Sequence, residues 1–196
     1  ELGLAGNLNN YYDRRNSHIH EVLATRRGIP ITLALIYIEI AGQLGLKAHG
    51  VSFPGHFLVK LRMPQGEVVI DPFNGQSLSR EDLDERLAPY RKRQGLEGDF
   101  EAPLGLFLQA APARDVLARM LRNLKEIHRT AEDWPRLLAV QQRLVLLLPA
   151  VAEELRDRGL TWAELGRSEE AAADLDTYVA LRPDAQDASA LAARAS

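Results

Sequence analysis

One segment constrains this chain more than any other. From Pro30 to Leu44 the sequence PITLALIYIEIAGQL carries a single charge, Glu39. Taken alone, ITLALIYI suits a buried strand or a buried helix, because so short an apolar run has no period that chooses between them. The ends choose. Pro30 suits the first helical position, where a missing N–H leaves no bond unmade. Gly45 suits the left-handed residue just past a helix, and Leu46 then stands where it can touch Ala41 or Ile40, as in a Schellman cap. The spacing predicts a helix from about Pro30 to Leu44, apolar nearly all round and therefore buried on most sides.

The flanking sequence supplies the layers for that burial. Residues 1–15 are rich in Gly, Asn and Asp and read as a loop. Asn16 or Ser17 can cap a short helix through about Thr25, with Arg26 and Arg27 suiting the end of its dipole and Gly28 ending it. Past Gly45, the runs Lys47–Phe53, His56–Met63 and Gly66–Asp71 read as strands, the last two joined by a Pro64-Gln65-Gly66 turn into a hairpin. Residues 79–95 read as a helix and a charged loop. There Arg91-Lys92-Arg93 nearly balances Glu81, Asp82, Asp84 and Glu85, which predicts a solvated face.

From Ala113 onward every signal is helical. The predicted helices are Arg114–Arg129, Pro135–Leu148, Val151–Leu165 and Glu169–Leu181. Pro149 and Pro183 stand 34 residues apart, the period of a tetratricopeptide repeat. Counting back from Pro183, Gly159, Trp162, Ala171 and Leu175 take the places where that repeat wants a glycine, an aromatic, a small residue and an apolar one. The earlier unit fits less well, with Lys125, His128 and Leu137 in the glycine, aromatic and alanine places. Two such units rarely bury their own faces, so the pair is expected to lean on what precedes it. The expected organisation is an α+β domain over residues 1–110, a buried helix on a small antiparallel sheet, followed by an all-α array over 111–196.

Composition removes whole classes of chemistry. The chain of 196 residues has no cysteine, which excludes disulfides, zinc–thiolate and iron–sulfur sites and any cysteine nucleophile. A net charge of −3 with no basic stripe argues against a nucleic-acid partner. No apolar run reaches the ~18–20 residues that span a bilayer, so no membrane partner is expected. No signal peptide opens the chain, and a reducing cytoplasm is the default location. The first residue is Glu1 rather than Met, so the expectation is a fragment without its N-terminal part. Nothing calls for a cofactor. His18 and His20 do not make a metal site, since residues two apart on a helix point to different faces and no third ligand is near.

The residues able to do chemistry are His56 and Asp71. If the hairpin turns at Pro64–Gly66, Leu58 lies opposite Asp71 and His56 is its diagonal neighbour, about 7–8 Å away along the backbone. A carboxylate can reach an imidazole across that gap and hold it in one tautomer. The plainer account is a histidine that satisfies a buried aspartate.

A buried helix, then a His-bearing strand, then a strand ending in Asp-Pro resembles the transglutaminase-like core of papain-type enzymes. The chain is most similar to the bacterial SirB-type family of transglutaminase-like proteins with tetratricopeptide repeats, named for a regulator of invasion genes. The segments that carry the resemblance are residues 7–46, PGHFLV (54–59), IDPFNG (70–75), RMLRNLKEIH (119–128) and RDRGL with its following helices (156–183). It implies a triad of Cys, His and Asp. The His falls on His56 and the Asp on Asp71, but the Cys falls on Pro30, which has no nucleophilic atom. Thr32 is one turn in and would need an adjacent base to substitute. The branch as a whole carries this GIPIT-type sequence.

Two vestigial triad members can act as a general base on water, help bind a ligand, or hold the core together. Tyr12, Arg27, Phe73 and Asn74, with Tyr11 nearby, could line a small-ligand cleft. In the repeats, Arg119, Arg122, Asn123 and Arg156 could face a concave groove and receive a protein or peptide partner of acidic character. The sequence leaves the oligomeric state open. The expected function is a non-catalytic scaffold or regulator that binds other proteins. The alternatives are a cysteine-independent hydrolase using His56, Asp71 and water, or a small-ligand binder.

Overall fold

A computed structural model describes residues 2–96, 98, 102–188 and 190–191. Two compact units divide the chain, residues 1–116 and 117–196.

The first unit is α+β. Its elements run β1 (Ala5–Gly6), a 3-10 turn (Arg14–Ser17), α1 (Ile19–Thr25), β2 (Arg27–Gly28), α2 (Pro30–Gln43), β3 (Lys47–Val51), β4 (Leu58–Met63), β5 (Gly66–Asp71), β6 (Gln76–Leu78), α3 (Arg80–Gln94) and a short α4 (Leu104–Phe107). Strands β3 to β6 form one antiparallel sheet in chain order. The α2 helix ends as its sequence predicts. Gly45 is left-handed (φ +74°), and the N–H of Leu46 donates to the carbonyl of Ala41 at 2.8 Å while that of Gly45 donates to Gly42 at 3.0 Å.

The pleat sends alternate residues to opposite faces. Val51, Leu58 and Val69 share a cluster with Leu83 and Leu87 of α3. Gly50, Val59 and Ile70 belong to the other face, where α2 packs on β3 and β4. Gly50 is required there, because a Cβ would come within 2.6 Å of the Phe57 ring. Burial of α2 is uneven. Its first turns, Pro30 to Ala34, are buried, and each fully buried Ile or Leu there is worth about 1.5–3 kcal/mol. The last turns, from Tyr37 to Leu44, are open on one side, which narrows the expectation of burial on most sides.

Several local expectations are corrected. Neither Asn16 nor Ser17 caps α1. His18 stands at the cap without a side-chain bond, and both Asn16 and Ser17 are buried in the 3-10 turn. The helix is ended by Arg26 in a left-handed conformation, φ +57°. Gly28 instead sits in β2, where a Cβ would come within 2.9 Å of Thr32 Oγ1 and Val22 Cγ1. The opening residues are not all loop, since β1 pairs in parallel with β2. His56 precedes β4 in a turn rather than lying in the strand. Arg91 is not solvated. It is 7% exposed and donates to Asp84 and to the Ala102 carbonyl.

The second unit is helical, with α5 (Ala113–Thr130), α6 (Trp134–Leu147), α7 (Ala152–Glu164) and α8 (Ser168–Leu181), the division between units falling in the first turn of α5. Helices α6 and α8 begin and end 34 residues apart. Gly159 lets α7 close on α8, where a Cβ would come within 2.9 Å of Leu175 Cγ. The equivalent place in the earlier repeat holds Lys125, which is buried against carboxylates. Among the described residues no helix is long and apolar enough to cross a membrane.

Candidate functional site

The hairpin register sets the site. Val59 pairs with Ile70 and Lys60 with Val69, so the ladder extrapolates to Leu58 opposite Asp71. His56 Nε2 lies 2.8 Å from Asp71 Oδ1. The same oxygen accepts the backbone N–H of Phe73 at 3.0 Å. Asp71 Oδ2 accepts Arg86 Nη1 at 2.9 Å. Arg86 is a partner the sequence reading missed. It lies on α3, within the stretch read from sequence only as a helix and a charged loop, so no local signal pointed to it.

Asp71 is 3% exposed, and burial alone would raise its pKa. The hydrogen bonds from His56, Arg86 and Phe73 outweigh that desolvation and lower the pKa to about 2. Asp71 is therefore a fixed anion whose charge is shared between an imidazole and a guanidinium. The His56 side chain is 25% exposed, and no described residue bonds its Nδ1. In the tautomer that donates Nε2–H to the carboxylate, Nδ1 carries the free lone pair of the ring.

No nucleophile meets it among the described residues. Pro30 is buried at the start of α2. Thr32 is fully buried, and its Oγ1 donates to the Asn16 carbonyl (2.8 Å) or that of Ile29 (3.0 Å) and accepts the Ile29 N–H (3.2 Å). The proton of that hydroxyl and one of its lone pairs serve the backbone. Asn16 is neither a cap nor free to bind a ligand. Its amide donates to the carbonyls of Asn10 and Tyr11 and accepts Asn7, tying the opening loop into a closed strap.

The other expected ligand residues scatter. Tyr12 is 79% exposed, stacked edge-on with Tyr11. Arg27 reaches the carbonyls of Gly3 and Arg26. Phe73 packs in the Val22–Leu33–Ile36 cluster with Tyr11 at 6.0 Å. Asn74 shapes a turn through Gln76. A cleft of about 440 Å³ does open beside the last turns of α2, lined by Tyr37, Ile40, Leu44, Ile70 and Asn74 among others. It includes Asn74 but not Tyr12, Arg27, Phe73 or His56. His18 and His20 come closer than the helical spacing implies, with rings 5.8 Å apart, because His18 lies outside the helix. Among the described residues no group of three or more His, Cys, Asp or Glu could hold a metal ion.

In the second unit two of the four expected partner residues form ion pairs within the chain. Arg122 pairs with Glu154 at 3.0 Å, and Arg156 with Asp157 and Asp187 at 2.8 and 3.0 Å. Arg119 and Asn123 are half-buried on α5.

The comparisons agree with this architecture. Residues 1–122 match the pattern of the Transglutaminase-like superfamily, and residues 124–196 match a Tetratricopeptide repeat. A UPF0162 protein of Xylella fastidiosa is 44% identical over 184 residues, 93% of this chain and 64% of that protein. The UPF0162 protein PA3419 of Pseudomonas aeruginosa is 32% identical, covering 87% of this chain and 60% of that protein. Protein SirB1 of Salmonella typhimurium is 29% identical, covering 85% and 60%. The chain thus spans just under two thirds of the length of these relatives. No solved structure matches it. The two matches fall in the order in which the structure places the α+β unit and the helices repeating every 34 residues, and the chain belongs to the transglutaminase-like superfamily, in the SirB-type branch with tetratricopeptide repeats.

Proposed function

We propose that this protein is a non-catalytic member of its superfamily, a scaffold or regulator that works by binding other proteins. The observation that carries the reading is the start of α2. Pro30 stands where the resemblance places the nucleophile, and the hydroxyl of Thr32, two residues on, is fully buried with its proton held by backbone carbonyls. The His56–Asp71–Arg86 cluster then serves as a clasp joining the approach to β4, the end of β5 and α3. The repeats supply the surface for partners, in keeping with the usual use of such arrays.

A second reading rests on His56. A quarter-exposed imidazole with Nδ1 open and Nε2 held by an anion is arranged as a general base on water. This would make the protein a cysteine-independent hydrolase.

One experiment separates the two. Purified wild type and His56→Ala are incubated with native lysate, and everything retained or altered is analysed by mass. The scaffold reading expects the same partners, unchanged in mass, from both proteins. A species cleaved or altered by wild type but not by His56→Ala overturns it in favour of hydrolysis.

A further inference from the structure

The cleft of about 440 Å³ beside α2 is a trough along one face of that helix. Leu33, Tyr37, Ile40 and Ala41 of α2 and Leu44 just past it line the space at helical spacing, a stripe about 16 Å long. Leu4, Ile70 and Pro72 line it as well, and no lining residue carries a charge. Glu39, the one charged residue of α2, falls on another face by the same spacing and accepts Gln43 Nε2 at 3.0 Å. Tyr37 and Asn74 are the only polar side chains of the lining, and Asn74 is engaged with Gln76. Two leucines of the lining stay in water, Leu44 at 71% and Leu2 at 61% exposure.

Cations stand at one end of the trough. Gly3 lies between Leu2 and Leu4 of the lining, and two guanidiniums meet there. Arg27 Nη1 donates to the Gly3 carbonyl at 3.1 Å, and Arg26 Nη1 would lie 3.5 Å from a Cβ built on Gly3. Both arginines are exposed. The acceptors of Arg27 are backbone carbonyls, and the Arg26 guanidinium makes no hydrogen bond or ion pair among the described residues. Neither cation is therefore matched by a carboxylate there. In the second unit the opposite holds, with Arg122, Lys125, Arg156 and Arg158 each on an acid. An apolar trough with unneutralised cations at one end selects by polarity. A ligand cation would meet like charge, and a plain hydrocarbon would leave the guanidiniums unused. A carboxylate on an apolar tail gains charge-assisted hydrogen bonds at its head without displacing an acid.

We propose that this cleft binds an amphiphilic carboxylate, with its aliphatic tail along the α2 stripe and its head at Arg26 and Arg27. The volume is that of a small-molecule site. With C–C bonds of about 1.5 Å, an extended tail of about ten carbons spans most of the stripe. Binding of such a ligand is independent of the protein-binding reading above and would add a second activity to it.

The test is calorimetric titration of the full chain with hexanoate, octanoate and decanoate below their micelle concentrations, and with decanol and decyltrimethylammonium as probes of the same tail. Decanoate is expected to bind one to one, with affinity rising about threefold or more per added methylene along the carboxylate series. It should bind at least about threefold more tightly than decanol and about tenfold more tightly than the cation. Arg26→Gln removes a guanidinium that holds nothing else, and should weaken decanoate by about threefold while leaving decanol unchanged. Leu44→Glu changes an exposed side chain, so the fold should persist, and sets a carboxylate on the stripe; it should weaken decanoate by about tenfold or more.

No binding of decanoate overturns the proposal, as does an affinity that does not grow with chain length. Equal or tighter binding of the cation overturns it too. A decanoate-to-decanol ratio unchanged by Arg26→Gln removes the head site, and decanoate binding unchanged by Leu44→Glu removes the trough; either result is fatal to the proposal. Partner capture is scored separately with the same variants. A protein lost from Leu44→Glu, where decanoate does not bind wild type, assigns the trough to an apolar segment of a partner instead and leaves the protein-binding reading standing.

Discussion

Replacing Asp71 by Asn removes the anion that three elements share while keeping the shape of the side chain. In the folded protein Asp71 has a pKa of about 2, against 3.8 for an unperturbed carboxyl, because His56, Arg86 and the Phe73 N–H stabilise the charged form more than burial disfavours it. A difference of that size corresponds to about 2 kcal/mol of stability. The sign follows from the lowered pKa. The contribution is complete above the unfolded value of 3.8 and is lost as pH falls toward 2. Asp71→Asn should therefore be less stable than wild type by about 2 kcal/mol at neutral pH. The gap should close as acid neutralises Asp71 in the wild type, since a protonated carboxyl and an amide are alike in charge. The assay is urea unfolding of both proteins at a series of pH values, followed by far-UV circular dichroism. Fluorescence would miss the site, because both tryptophans, Trp134 and Trp162, lie in the second unit. A carbon-detected titration of the Asp71 carboxyl gives the folded-state value directly. A midpoint near 3.8, or a stability gap independent of pH, would refute the reasoning and leave Asp71 as an ordinary buried polar group.

Three further outcomes are expected. Thr32→Val keeps the volume but strips the Ile29 N–H and the Asn16 carbonyl of their partner, so the urea midpoint should fall by the equivalent of about 1–3 kcal/mol; an unchanged midpoint would mean that the strap does not depend on this hydroxyl. Arg26→Gly relieves a left-handed non-glycine residue at φ +57° and should stabilise the first unit by about 1 kcal/mol in the same assay, with a loss of stability showing that the arginine side chain matters more than its backbone. Lys125→Met leaves Glu154 and Asp157 short of a cation 2.6 Å away in a buried setting; a loss of about 3 kcal/mol is expected by tryptophan fluorescence, and a neutral or stabilising result would show that apolar packing replaces the ion cluster without loss.

What the sequence determined by itself is whatever short-range chemistry signals. Pro30 and Gly45 delimit α2 because a ring without an N–H and a residue free to turn left-handed act within one helical turn. The Pro64-Gln65-Gly66 turn sets the register that puts Leu58 across from Asp71, and with it the meeting of Asp71 and His56. The 34-residue spacing of prolines announces α6 and α8 because each repeat is one packing unit. The α+β class and the helical array follow from those signals.

Only the tertiary structure decided how buried charges are neutralised. Arg86 reaches Asp71 because α3 packs on the face of the sheet that holds Val69, and nothing local in Arg80–Gln94 says which of its arginines faces inward. The same is true of Arg91, which looked like part of a solvated basic run and is buried on Asp84 and Ala102. Asn16 looked like a helix cap because caps are local, but its bonds go to Asn7, Asn10 and Tyr11 across a loop whose path depends on β1 finding β2. In the repeats, Arg122 and Arg156 read in sequence as groove-facing candidates and Lys125 as an ill-fitting residue at a glycine position, and helix packing brings Glu154, Asp157 and Asp187 onto them. A cap or a turn acts over a few bonds and is written where it acts. A buried charge is satisfied by whichever residue packing brings within about 3 Å, and that choice exists only once the helices have closed.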